Sequence, residues 1–172
     1  MLHPPDRTQY HAFYDTYVRL VREGDVLERL RTQLEELTTT VEALPTHSLR
    51  VGYAPGKWSL LDLLGHLMDT ERVMSYRALC MARGDVSAFP GFDQEAYAAH
   101  ATVSTQPLST VLAAYRALRA STLHLYTSFD AESLDRMGTA SGYPVSVRAL
   151  VFITAGHERH HLNHLEELYG AP

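Results

Sequence analysis

Apolar residues recur at three- and four-residue intervals through four stretches of the chain. Val26, Leu27, Leu30, Leu34, Leu37, Val41 and Leu44 make the first stripe, closed by Pro45. Leu60, Leu64, Leu67, Val73, Leu79 and Met81 make the second, and Leu112, Tyr115, Leu118, Leu123 and Leu125 the third. Leu150, Ile153 and Leu162 mark a fourth. This spacing puts the apolar side chains on one face of an α-helix. The punctuation agrees. Gly24 breaks the chain before Asp25, a cap for the first long helix; Ser59 caps the second with Asp62 at its third position; Pro107 opens the third; Ser146 caps the fourth and Gly170 ends it. Trp58 and Leu63 are placed to staple the start of the second helix.

Between these stretches lie shorter signals. Phe13 to Val21 reads as a short helix with an aromatic face, Phe92 to Ala101 as another, and Asp130 to Leu134 as one further turn. Residues 1–12 are predicted irregular. Thr46 to Lys57 and Gly84 to Gly91 read as loops, and Gly138 to Pro144 as a loop with at most a small hairpin. No repeat or linker interrupts the pattern. The expectation is all-α: one domain over residues 1–172, a four-helix bundle with short accessory helices.

The candidate chemistry sits on the fourth helix, which holds four of the ten histidines. His157-Glu158-Arg159-His160-His161 is a literal H-E-x-x-H. Positions four apart share a helix face, so His157 and His161 can reach one metal ion. Bundles build metal sites inward from facing helices, which makes His66 the natural third ligand. A histidine alone on an apolar face is more often a core residue; the pair at His157 and His161 reverses that reading. His164 shares their face as a spare candidate, and His160 is a neighbour. Glycine precedes the histidine in both helices, as Gly65-His66 and Gly156-His157, which fits close helix approach or room for a ligand. Three neutral imidazoles leave an ion's charge largely uncancelled and a position open, as in catalytic sites. Such an ion lowers the pKa of water or of a thiol.

The other polar residues have competing roles. Glu158 is the general base if the motif works as in zinc peptidases, although it is turned about 100° from His157 on the helix. Asp62 could orient His66 from one turn away, or simply complete the helix cap. Asp69 and Glu71 could support the metal ligands, but read more readily as solvated residues or ion-pair partners of Arg72 or Arg77. Tyr10, Phe13, Tyr14 and Tyr17 read as packing against the bundle, or as lining for a pocket or dimer interface.

Composition narrows the classes. The 172 residues are 45% apolar, enough for a core, and a net charge of −5 argues against a nucleic-acid partner. No apolar run reaches about eighteen residues, so no membrane span is expected. The first residues lack a basic segment followed by an apolar one, which points to the cytoplasm. Cys80 is the only cysteine. It reads as a small buried core residue rather than a catalytic thiol, and it excludes a disulfide or thiolate zinc site within the chain.

Several stretches together resemble the DinB-like superfamily of metal-binding four-helix bundles. They are Tyr53-Ala-Pro-Gly-Lys-Trp-Ser-Leu-Leu-Asp-Leu-Leu-Gly-His66-Leu-Met-Asp-Thr-Glu-Arg, Tyr76-Arg-Ala-Leu-Cys-Met-Ala-Arg-Gly-Asp85, Pro90-Gly-Phe-Asp-Gln-Glu-Ala-Tyr97, Ser146-Val-Arg-Ala-Leu and Gly156-His157-Glu-Arg-His-His161. The resemblance runs from about Gly24 to Tyr169. It implies one ligand from the second long helix and two from the last, hence His66, His157 and His161. It further implies a divalent metal, zinc or nickel, a small-molecule substrate and often a homodimer. The activities it implies are thiol-dependent transfer with bacillithiol, mycothiol or glutathione, or metal-dependent hydrolysis. A non-enzymatic metal-binding stress-response module is the alternative.

Overall fold

The structure, a computed structural model, describes residues 2–169. Its helices are α1 (Asp15–Val18), α2 (Val26–Ala43), α3 (Leu60–Ala82), α4 (Gln94–His100), α5 (Leu108–Thr127), α6 (Ala131–Asp135) and α7 (Val147–Tyr169). Its strands are β1 (Ala88–Phe89), β2 (Met137–Ala140) and β3 (Tyr143–Ser146). The four apolar stripes become α2, α3, α5 and α7, and these form a four-helix bundle. Both α2 and α3 pack on α5 and α7, so α2 and α3 face each other across the bundle. No helix among the described residues is long and apolar enough to cross a membrane.

The caps form where the sequence places them. Asp25 accepts from the Leu27 N–H, Ser59 and Asp62 make a reciprocal capping box, and Ser146 Oγ accepts from the Ala149 N–H at 2.9 Å. Each such cap contributes about 1 kcal/mol. The predicted stop at Gly170 lies outside the described residues.

Two regions are more ordered than expected. The Gly138–Pro144 segment is part of a three-stranded sheet, in which β2 pairs antiparallel with β3 and parallel with β1. Ser141 and Gly142 turn the hairpin with φ of 54° and 82°. Two positive φ values give the mirror-image turn that matches strand twist. The short β1 lies in the expected 84–91 loop; two residues carry no periodicity to read. Arg77 ties this segment to α3, donating to the Pro90 carbonyl at 2.6 Å and the Ser141 hydroxyl at 3.3 Å. Residues 1–12 are not wholly irregular either. A 3-10 turn spans Arg7–Gln9, and Tyr10 bridges to Val145 at the sheet edge. The helix expected from Phe13 to Val21 is a single turn of α-helix between two 3-10 turns. It lies along α7.

The hydrophobic core is in two parts. One cluster joins the N-terminal segment and the sheet to Leu30, Met74, Tyr126 and Ala155. The other gathers Leu34, Met68, Tyr115 and Leu162. Between these pairs of positions, each long helix contributes a buried polar residue: Gln33, Glu71, Arg119 and Glu158. Arg119 Nη2 lies 2.8 Å from Glu71 and 2.9 Å from Glu158. Another Arg119 nitrogen donates to the Leu30 carbonyl. Tyr115 donates to Glu158 Oε1 at 2.9 Å, and Gln33 to Glu158 Oε2 at 3.1 Å and the Ala155 carbonyl at 2.9 Å. Glu71 therefore pairs with Arg119 on the neighbouring α5, not with Arg72 or Arg77 as expected. Asp69 does pair with Arg72, at 3.0 Å.

Replacing Arg119 leaves two buried carboxylates facing each other without a cation. Arg119→Met is expected to lower the unfolding free energy by about 3–5 kcal/mol, read by chemical denaturation.

Candidate metal centre

His66 lies on the buried face of α3, directly opposite the middle of α7. His157 and His161 occupy successive turns of α7. One ring nitrogen from each lies within 4.8 Å of the other two. The closest pair is His66 Nε2 and His157 Nε2, at 3.0 Å. Ligands of one tetrahedral ion, bound at 2.0–2.1 Å, are about 3.3 Å apart. His66 and His157 are buried, while His161 is half-buried.

Burial makes these imidazoles hard to protonate. It lowers His66 to about 4, against a weak opposing effect of Asp69. It lowers His161 to about 3, helped by His66, His160 and His164. His157 is held well below the ordinary range by burial first and then by His161, His66 and His160. All three are neutral at pH 7 and carry free lone pairs, which is the state that binds a divalent ion. No cysteine or carboxylate joins the group among the described residues. The donor set fits a borderline ion such as zinc or nickel.

Rings rather than carboxylates pack on His66 and His157. The Trp58 ring packs on His66 with centroids 4.8 Å apart, and the Tyr17 ring meets His157 edge-on at 5.4 Å. Asp62 does not orient His66. Its carboxylate accepts from the Ser59 N–H and hydroxyl, completing the cap. Glu158 turns away from the histidines into the buried Arg119 network. Burial raises its pKa, and Arg119 and Tyr115 only partly reverse this. His160 is exposed, with its ring against Tyr17 and His161. His164 is also exposed, near Tyr53 and Glu167. Neither joins the three-histidine group.

The two glycines have steric explanations. A Cβ on Gly156 would overlap the Tyr17 carbonyl, and one on Gly65 would sit 2.8 Å from a Val103 methyl. Gly156 thus lets the N-terminal segment lie directly on α7, bringing Tyr17 beside His157. The sequence reads Tyr17 as packing against the bundle or lining a pocket or dimer interface, and Trp58 as a staple. Their alignment with the histidines depends on how separate elements dock, which no local pattern encodes.

A family model described as the DinB superfamily matches residues 27–165, most of the chain and all three histidines. The chain belongs to the DinB superfamily. A relative in Oceanobacillus iheyensis, OB0413, named "Putative metal-dependent hydrolase", is 29% identical over 143 residues, covering 81% of each chain. YfiT from Bacillus subtilis has a similar fold, with a TM-score of 0.71 at 19% identity over 96% of this chain and 91% of its own. Its structure is described as that of "a probable metal-dependent hydrolase with an unusual four-helix bundle topology". The DinB match begins at Leu27, so Tyr17 and the segment that seats on Gly156 lie before it.

The depressed histidine pKa values set a pH dependence for the metal-free protein. The unfolded chain takes up these protons near pH 6.5, whereas folded His66 and His161 resist until about 4 and about 3. Their contribution to stability is therefore full above about pH 6.5 and lost as pH falls toward 3–4. Thermal unfolding between pH 7 and 4 is expected to show a shallower fall in the double variant His66→Gln/His161→Gln than in wild type.

Proposed function

We propose that this DinB-superfamily protein is a metal-dependent enzyme that transfers a low-molecular-weight thiol, such as bacillithiol, to a small electrophile. His66, His157 and His161 would hold one divalent ion, zinc or nickel. The observation that carries this reading is the group of three neutral imidazoles from two facing helices, with ring nitrogens within 4.8 Å of one another. When bound, a divalent ion there supplies a Lewis acid that lowers the pKa of a coordinating nucleophile.

The protein's own residues narrow the choice of nucleophile. The imidazoles need lose no proton at pH 7 to act as ligands. Glu158, the nearest carboxylate in sequence, is already engaged by Arg119, Tyr115 and Gln33, so it is not free to take a proton from the nucleophile. A thiol ionises near 8.5, so it needs a far smaller pKa shift than water, at about 15.7. With the motif's own glutamate engaged, the smaller shift suits a thiol. Hydrolysis is the second reading, supported by the names given to OB0413 and by the description of YfiT. The same ion would serve it with water as the nucleophile.

Untagged wild type is expected to hold about one ion per chain. His66→Ala and His157→Ala are each expected to lose it, by elemental analysis, together with metal-dependent consumption of thiol against a halogenated nitroaromatic. Ester cleavage without thiol consumption would select the hydrolytic reading. A His66→Ala variant with unchanged metal content would remove the three-histidine assignment altogether.

A further inference from the structure

Beside His161 a pocket of about 250 Å³ opens between the 53–59 loop, the start of α4 and the last turns of α7. Its inner wall is apolar: Leu60 and Leu165 are buried, and Leu63 and Trp58 half-buried. Leu168 closes the outer side at 38% exposure. Lys57, Glu95 and His164 are exposed and stand at the rim. Lys57 and Glu95 have opposite signs, so the rim offers no net attraction to a cation or an anion. His161 belongs both to this pocket and to the three-histidine group, so one molecule can reach both.

Size and lining together name a ligand class. An apolar cavity of about 150 Å³ accepts benzene, and drug-sized ligands occupy about 300–1,000 Å³. The pocket lies between these bounds. Its interior offers the Leu60, Leu63 and Leu165 side chains and the Trp58 indole, with the buried Ser59 beside them; an indole among branched apolar side chains favours an apolar aromatic body over a charged one. We propose that this pocket holds the non-reacting part of the substrate, and that this part is a single uncharged aromatic ring with short substituents. The reactive end of such a molecule would lie at His161. The proposal rests on the metal-dependent reading for the reactive end, but the ring site stands on the pocket alone.

Trp58 is the only tryptophan in the chain, so its fluorescence reports this pocket directly. The first titration uses metal-free wild type and 4-nitrobenzyl alcohol, an uncharged single-ring quencher. A saturable loss of Trp58 emission is expected, weakened roughly tenfold or more in Leu168→Arg, whose half-exposed site tolerates the change. Circular dichroism checks that the variant is folded. Quenching that is only linear in probe concentration, or the same in the variant, would overturn the ring site whether or not the protein binds metal. The second titration uses zinc-loaded wild type with benzohydroxamate and acetohydroxamate. The aryl compound is expected to bind roughly tenfold tighter or more and to quench Trp58. Equal affinities would overturn the claim that ring and metal sites take one molecule. Failure of both hydroxamates on zinc-loaded protein would instead count against an accessible metal centre, leaving the first titration to decide the ring site.

Discussion

The arrangement of the bundle depends on Arg119, buried between the carboxylates of Glu71 and Glu158. Removing three charges from water costs several kcal/mol per ion, and only close pairing with further hydrogen bonds offsets it. Both conditions are met. Burial pulls the Arg119 pKa down, but Glu158, Tyr115 and Glu71 outweigh it and hold the guanidinium firmly charged. Together with Gln33 and the Leu30 carbonyl, the network takes in all four long helices. Apolar stripes alone allow helices to rotate and slide with little loss. A buried ionic layer does not, because any shift strands a charge. The position of this layer fixes the rotation of α7. With Glu158 turned toward Arg119, His157 lies about 100° round the same helix, on the side facing α3. The geometry of the histidine group is thus a consequence of the ion pair one residue away.

The three-histidine group is held differently from the layer beside it. Histidine ligands usually donate their second ring nitrogen to a carboxylate or a carbonyl. Here Asp62 is spent on the helix cap, Glu158 on Arg119, and the imidazoles are wedged by Trp58 and Tyr17. Packing of this kind fixes ring orientation without adding negative charge beside the imidazoles. It also excludes water, which explains the depressed pKa values. Tyr17 reaches His157 only because Gly156 lets the backbone of another segment touch α7. The glycine costs about 1 kcal/mol in a helix relative to alanine. The close approach it permits supplies one wall of the site.

Much of this was legible in the sequence. The four stripes and their caps need only helical periodicity, His157 and His161 add their four-residue spacing, and His66 follows from the way bundles build sites from facing helices and from the family resemblance. The sheet was less so: β1 has two residues, and the pairing of Tyr10 with Val145 spans most of the chain. The ionic layer was overlooked for a specific reason. A reading that follows apolar residues passes over charged ones, yet Glu71 continues the row Leu64, Leu67, Met74 and Met81. Arg119 likewise continues Leu112, Tyr115 and Tyr126, and Glu158 continues Val151, Leu162 and Leu165. A charge on an apolar stripe must find an opposite charge on a facing stripe. Three such residues on three helices were a readable sign of a buried network.

The same argument changes the meaning of H-E-x-x-H. In a zinc peptidase the glutamate faces the metal's open side as a base. In this chain the glutamate occupies the stripe that packs into the bundle, and its oxygens are taken by Arg119, Tyr115 and Gln33. The spacing of the two histidines is unaffected, because residues four apart share a face wherever that face points. The motif therefore keeps its pair of stacked histidines and gives its glutamate to the core.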